Sequence, residues 1–332
     1  MTLPVPLSLE PMEATPVDAL PDGPGWAFEP KYDGFRCLVF RDGDSVRLQS
    51  RRQRPLARYF PEVATAAAAL AGPRFVLDGE LVIRGAGFDA LQMRLHPAAS
   101  RIARLSRETP ACFTAFDMLV DPTGEALLTC PFSARRQALE AWFASSGTGI
   151  ALAEQTRSQA QAQRWLKDVG DGLDGIVAKR LDLTYRPGER AMLKYKLRHT
   201  IDCVVAGVYR KPDGEDVEYL LLGLYDAQGL LHYVGRCPAH PHEAEYARKL
   251  RPLLGGGGFT GNQPGGRSRW SRRERVATPL RPELVVEVSV DAVTAGKFRH
   301  GARLLRWRTD KAPRKCTMDQ IEPRGAAPPA GR

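Results

Sequence analysis

Glu29-Pro30-Lys31-Tyr32-Asp33-Gly34-Phe35-Arg36 sets one lysine in a tight polar frame between two apolar, strand-like runs. A lysine amine is nucleophilic only when neutral. Its ordinary pKa is ~10.4, so a working lysine needs burial or a nearby cation. Asp33-Gly34 supplies a turn, and Arg36 supplies a fixed charge able to reach a phosphate or a sugar. In isolation the stretch reads as a hairpin turn carrying surface charges. Working outward, apolar runs at 35–41 and 45–50 flank Asp42-Gly43, a strong hairpin signal. The alanine-rich segment 61–71 predicts a helix, and 75–83 predicts a strand because its apolar residues are β-branched and aromatic. Further strands are expected at 111–120, 173–179 and 191–197, and further helices at 133–144 and 158–169. Strands and helices alternate irregularly, with hairpins, which indicates an α+β fold with antiparallel sheets flanked by helices. Residues 1–25 are proline-rich and are expected to wrap the surface.

A boundary falls near 198–201, giving domains at 1–199 and 200–332. Beyond it, short apolar strands at 202–210, 217–225, 230–234, 284–290 and 304–308, with one helix at 241–254, fit a small Greek-key β-barrel of the OB type. A loop at 265–275 carries five arginines and Trp270, a composition suited to a solvated loop or to frayed DNA ends.

The chain has 332 residues and a formal charge of +10. Residues 201–332 hold 22 Lys+Arg against 15 Asp+Glu, leaving 26 against 23 for residues 1–200, so the basic excess is weighted to the second domain. Charge alone leaves solubility and nucleic-acid binding equally open. The six cysteines are scattered without a C-x-x-C pair, which argues against a zinc site or a disulfide framework. There is no signal-peptide pattern and no run of ~18 apolar residues, so a cytoplasmic protein with no membrane partner is expected.

Other pieces recur downstream of Lys31 in a fixed order: Leu77-Asp78-Gly79-Glu80-Leu81, Phe113-Thr114-Ala115-Phe116-Asp117, Asp174-Gly175-Ile176-Val177-Ala178-Lys179, Leu193-Lys194-Tyr195-Lys196 and Arg306-Trp307-Arg308-Thr309-Asp310-Lys311. Together they resemble the ordered motif set of the covalent nucleotidyltransferases, specifically the ATP-dependent DNA ligases. The short chain and its last motif look most like the compact bacterial type called ligase C. The resemblance covers residues 31–311. It implies an adenylation domain followed by an OB domain, ATP and Mg²⁺ or Mn²⁺ as cofactors, and nicked double-stranded DNA as substrate. It further implies a monomer working on the nucleoid in DNA repair, with a gap-filling polymerase as candidate partner. An RNA ligase, an RNA-capping nucleotidyltransferase and a non-catalytic nucleic-acid-binding relative are the alternatives.

The resemblance makes Lys31 the nucleophile. Glu29 falls at the adenine-binding position, Arg36 at the ribose contact and Phe116 at the ring that stacks on adenine. Arg51 matches a phosphate-contacting arginine, although Arg52-Gln53 departs from the family pattern after it. Asp78 and Glu80 lie two apart on one strand and so share a face, where paired carboxylates suit ribose hydroxyls or a hard cation. The family places Glu80 at the ribose and metal region and Asp174 at the metal. Many relatives carry Glu at the latter position. Lys194 and Lys196 also alternate on one strand and suit an α-phosphate and the departing pyrophosphate. Arg190 is a weaker phosphate candidate, and Lys179 is either a phosphate contact or a solvated strand end. Arg306 and Arg308 belong to the element that orients the β and γ phosphates in the first step.

Overall fold

The computed structural model describes residues 3–146, 149–167, 173–196, 199–211, 216–239, 243–265, 276–291, 293–294 and 296–321. The chain divides into two compact units, Met1–Leu197 and Arg198–Arg332.

The first unit contains β1 (Glu13–Val17), β2 (Trp26–Tyr32), β3 (Phe35–Asp42), β4 (Ser45–Ser50), α1 (Pro61–Ala69) and β5 (Arg74–Val82). It continues with α2 (Phe88–Arg94), α3 (Ala99–Glu108), β6 (Cys112–Val120), α4 (Phe132–Ser145), β7 (Ala151–Leu152), α5 (Gln159–Lys167), β8 (Leu173–Arg180) and β9 (Arg190–Lys196). Two sheets result, one in the order β4-β3-β5-β6-β7 and the other β1-β9-β8-β2. The β3–β4 hairpin turns on Gly43 at φ 61°, as Asp42-Gly43 predicts.

Alternation along the central strands decides the packing. From β3, Cys37 and Val39 enter a core beneath α1 and α4, where Phe60, Val63, Leu139 and Trp142 are buried. Leu38 and Phe40 point the other way, into a second core with Val76, Leu119, Met192 and Tyr185. That second core draws on strands of both sheets, so the sheets pack face to face. A third, smaller cluster packs α5 on Phe28, Ile176 and Ala178 of the other sheet face.

The expectation of antiparallel sheets throughout is corrected at two edges. β1 pairs parallel with β9, and β6 pairs parallel with β7. The first pairing also replaces part of the expected N-terminal wrapping segment with a strand. Pattern reading missed it because Glu13–Val17 contains Pro16 and is too short to show periodicity; an edge strand tolerates that proline. The α2 and α3 helices were likewise not expected from the sequence.

The second unit contains β10 (His199–Arg210), β11 (Val217–Tyr225), β12 (Leu231–Pro238), α6 (Glu243–Leu250), β13 (Ala277–Val290), β14 (Val293–Thr294), β15 (Lys297–Phe298) and β16 (Arg303–Trp307). Its main sheet is antiparallel, ordered β12-β11-β10-β13-β16, and β14 with β15 forms a separate two-stranded ribbon. Among the described residues no ladder joins β12 to β16, so the sheet is open where the sequence suggested a closed barrel. β13 runs much longer than the expected 284–290. The pairing shifts register between Val205 and Gly207 of β10, which carries the ladder past Pro279 and Pro282. The arginine-rich part of the 265–275 loop, from 266 onward, lies outside the described residues.

Candidate active site

Lys31 sits at the end of β2, where the strand leaves the sheet for the Asp33-Gly34 turn. Gly34 is required by close approach: a Cβ there would lie 2.1 Å from the Leu81 carbonyl oxygen and 2.7 Å from Cγ of Glu80. The missing side chain lets the turn settle against β5. Across the adjacent β2–β8 ladder, Lys31 faces Gly175. Gly175 has φ 150°, and a Cβ on it would meet the Tyr195 carbonyl oxygen at 2.1 Å. These two glycines bring Lys31, Glu80 and Asp174 into one neighbourhood. Lys31 Nζ donates to Asp174 Oδ2 at 2.5 Å, and Lys196 Nζ lies 3.3 Å from the same oxygen.

Beside Lys31 opens a cavity of about 250 Å³. Glu29, Lys31, Arg36, Arg51, Glu80, Phe116, Lys179, Lys194 and Lys196 all line it, so nine of the residues singled out from the sequence converge on one space. Asp174 joins them through Lys31 and Lys196. Residues 11–14, from the N-terminal segment and β1, form part of the wall.

Arg36 is held by several hydrogen bonds. Arg36 donates from Nε and Nη2 to the two oxygens of Asp78, at 2.6 and 2.7 Å, and from Nη2 to the Met12 carbonyl at 3.2 Å. Burial opposes the Arg36 charge, but the Asp78 carboxylate more than offsets it and holds the guanidinium cationic. The guanidinium carbon lies 4.5 Å from the centre of the Phe116 ring. Asp78 is therefore not half of a ribose- or cation-binding pair with Glu80. It is fully buried, and its oxygens are used by Arg36 and by the Tyr185 hydroxyl.

A second buried network also meets the Phe116 ring. Glu29 is 2% exposed, not a solvated carboxylate. Its Oε2 lies 2.7 Å from Lys179 Nζ, and its Oε1 accepts from Gln155 Nε2 at 3.0 Å, with Arg136 Nη1 at 3.8 Å. Lys179 is also buried and lines the cavity, so it is not a solvated strand end. Its ammonium lies 4.4 Å from the Phe116 ring centre. Asp117 is buried in a bidentate pair with Arg135 at 2.8 and 2.9 Å.

Glu80 is half-buried, and loss of hydration foremost pushes its carboxyl up to about 7, against the opposing pull of Arg36 and Lys31. Lys194 is shifted downward, first by burial and then by the cations of Lys31, Lys196 and Arg190. Such a gathering of cations around Lys194 is a setting for anions. Arg51 and Arg190 are exposed and each lies 3.6 Å from Glu13, bordering a neighbouring cavity of about 530 Å³.

Among the described residues no group of three His, Cys, Asp or Glu side chains could enclose a metal. Glu80 and Asp174 offer at most two carboxylates beside Lys31. That number fits Mg²⁺ or Mn²⁺, which keep several waters and take phosphate oxygens as ligands.

Arg306 and Arg308 lie in the second unit. Arg306 is exposed and pairs with Glu287 at 2.6 Å. Arg308 is clamped between two carboxylates: Nη1 donates to both oxygens of Asp202 at 2.9 and 3.0 Å, while Nε and Nη2 donate to Asp310 at 2.9 and 2.8 Å. The Arg308 hydrogen bond is the main cause that draws the Asp310 carboxyl down to about 2. Lys311 Nζ reaches Asp202 Oδ2 at 2.8 Å. The two arginines thus have different carboxylate partners.

Sequence reading passed over Met12, Arg136, Gln155 and Tyr185. The last three act as partners of Asp78 and Glu29 from distant segments, and no local pattern marks them. No helix among the described residues is long and apolar enough to cross a membrane.

The ATP-dependent DNA ligase domain matches residues 11–196, and the ATP-dependent DNA ligase C-terminal region matches residues 213–311. The chain is 43% identical to DNA ligase C2 of Mycolicibacterium smegmatis and 43% identical to DNA ligase C of Mycobacterium tuberculosis, in each case over 97% of this chain and 96% of the relative. A solved structure from a study of Lig E DNA ligases covers 90% of this chain and 99% of its own, with a TM-score of 0.57 at 16% identity, which speaks to fold alone. With both family regions matched and relatives of this identity aligned end to end, the chain belongs to the ATP-dependent DNA ligases, in their compact bacterial form.

Proposed function

We propose that the enzyme seals nicks in duplex DNA through Lys31. The Lys31 nitrogen attacks the α-phosphorus of ATP, a P–N bond forms, and the bond to pyrophosphate breaks. AMP then passes from lysine to the 5′-phosphate of the nick, restoring the amine. The 3′-hydroxyl displaces AMP and closes the backbone. The observation that carries this reading is the position of Lys31 at a cavity lined also by Glu80, Lys194 and Lys196.

The chain's own groups divide the work. Lys31 can attack only as the neutral amine, so its ion pair with Asp174 must open before the P–N bond forms. Lys194 and Lys196 supply fixed positive charge where phosphate oxygens gain negative charge. Phe116 offers its face to the adenine, Arg36 reaches the ribose, and Arg51 serves phosphate. A divalent cation held by Glu80 and Asp174, with phosphate oxygens and water, would neutralise charge on the α-phosphate. Mg²⁺ and Mn²⁺ both suit these oxygen donors.

The second unit is read as an OB-type module that grips the duplex and carries Arg306 and Arg308 to the β and γ phosphates. Its excess of basic residues favours that role. Repair in the cytoplasm, as a monomer following a gap-filling polymerase on the nucleoid, is the setting the family assignment favours. The direct test is Lys31→Ala incubated with α-labelled ATP and then with nicked duplex. Loss of both the covalent adduct and sealing is expected, and an adduct of normal yield would remove Lys31 from the mechanism.

A further inference from the structure

We propose that Tyr185 is a positioning residue for the sugar end of the nucleotide site, acting through Asp78 on Arg36. The proposal rests on the reading of Arg36 as the ribose contact. Tyr185 lies between β8 and β9, is 4% exposed and does not line the cavity. Its hydroxyl donates to Asp78 Oδ2 at 2.6 Å and accepts the Met12 N–H at 3.0 Å. Asp78 in turn grips Arg36 with both oxygens, and Arg36 donates to the Met12 carbonyl. Four residues close a ring: Tyr185 to Asp78, Asp78 to Arg36, Arg36 to Met12, and Met12 back to Tyr185. Four segments of the chain are locked together by it, two of which, at Met12 and Arg36, face the cavity.

The ring fixes which donors remain for a ligand. Nε and Nη2 of Arg36 are spent on Asp78 and Met12, leaving Nη1 for a sugar hydroxyl. Asp78 can hold the guanidinium in that attitude only if it cannot pivot, and the phenol hydroxyl prevents the pivot. Burial first, and then the Asp78 charge, push the Tyr185 phenol well up, so it stays a donor across the working range. Loss of the hydroxyl removes one bond from Asp78 and strands the Met12 N–H. A buried hydrogen bond to a charged group is a large enough contribution to move a binding geometry.

The test compares single-turnover self-adenylation with ATP, 2′-deoxy-ATP and 3′-deoxy-ATP in the full chain. Tyr185→Phe should lower the efficiency with ATP by roughly tenfold while the analogue lacking the contacted hydroxyl loses little, so the preference for ATP shrinks by about fivefold or more. Equal losses on all three nucleotides would show that Tyr185 serves the fold alone and would overturn the proposal. Arg36→Lys, run in parallel, should collapse the same preference. If it does not, the ribose reading of Arg36 fails and the proposal falls with it. Should Tyr185→Phe not fold, 4-aminophenylalanine in place of Tyr185 carries the test, because it keeps a donor for Asp78 while weakening the acceptor for Met12. Preference for ATP within about twofold of wild type is then expected from the retained donor. A collapsed preference would refute the route through Asp78.

Discussion

Lys179→Met leaves Glu29 buried with its charge and without its nearest counter-ion. Both side chains are 3% exposed and 2.7 Å apart. Breaking a buried ion pair from one side costs ~3–5 kcal/mol, most of it the unpaired charge left behind. Glu29 keeps Gln155 at 3.0 Å and Arg136 at 3.8 Å, which places the loss at the lower end, about 3 kcal/mol. For a unit of this size that corresponds to a fall of roughly 6–12 °C in Tm. Phe116 also loses a cation 4.4 Å from its ring centre, so the KM for ATP should rise with the fall in stability. Adding Glu29→Gln to Lys179→Met removes the second charge, and most of the lost stability should return, to within about 1 kcal/mol of wild type. Thermal unfolding of the wild type, both single variants and the double variant forms a complete cycle. A double variant no more stable than Lys179→Met would refute the argument, since the cost could not then be the charge on Glu29.

Three further outcomes are expected. Arg308→Ala should slow single-turnover self-adenylation by ~10²–10³, while sealing of a nick already carrying 5′-AMP stays within about tenfold, because only the first step expels pyrophosphate; equal loss in both assays would assign Arg308 to DNA binding or folding. Affinity for nicked duplex should fall by ~10³–10⁵ between ~50 and ~200 mM salt if the footprint covers ~6–10 phosphates; a flat salt response would rule out the basic second unit as the grip. Glu80 is raised from 4.5 to about 7, so between those values the folded chain binds more protons at this site than the unfolded chain and its contribution to stability falls as pH rises. Glu80→Gln should remove that slope in denaturant titrations at pH 5 and pH 8, and an unchanged slope would show that Glu80 is not its source.

The site was legible where chemistry and local pattern coincide. Lys31, Arg36, Glu80, Lys194 and Lys196 occur in short polar frames within apolar strands, and strand alternation carries them to one cavity wall. What pattern could not reveal were interactions closing over long distances in sequence. Asp78 looked like the twin of Glu80 because the two share a face. Its fate depended on Tyr185, 107 residues away. For Lys179 the pattern left a phosphate contact and a solvated strand end both open, and it could not show that Glu29 on the neighbouring strand pairs with it in the interior. The fold was legible in the same measure. Hairpins announce themselves through Asp-Gly turns, whereas β1 pairs with a strand from the far end of its unit, and its proline hides it.

The partnership of β1 with β9 has a consequence for how the enzyme is made. Met12 waits for Tyr185, 173 residues later, and β1 finds its edge only when β9 exists. Contacts so distant in sequence form late, after the loop between them has been closed. A chain emerging from the ribosome can therefore build the β3–β4 hairpin long before it has a complete nucleotide cavity. Nascent enzyme should be unable to charge itself with AMP until the whole first unit has cleared the exit tunnel. The N-terminal segment, made first, is the piece that completes the site last.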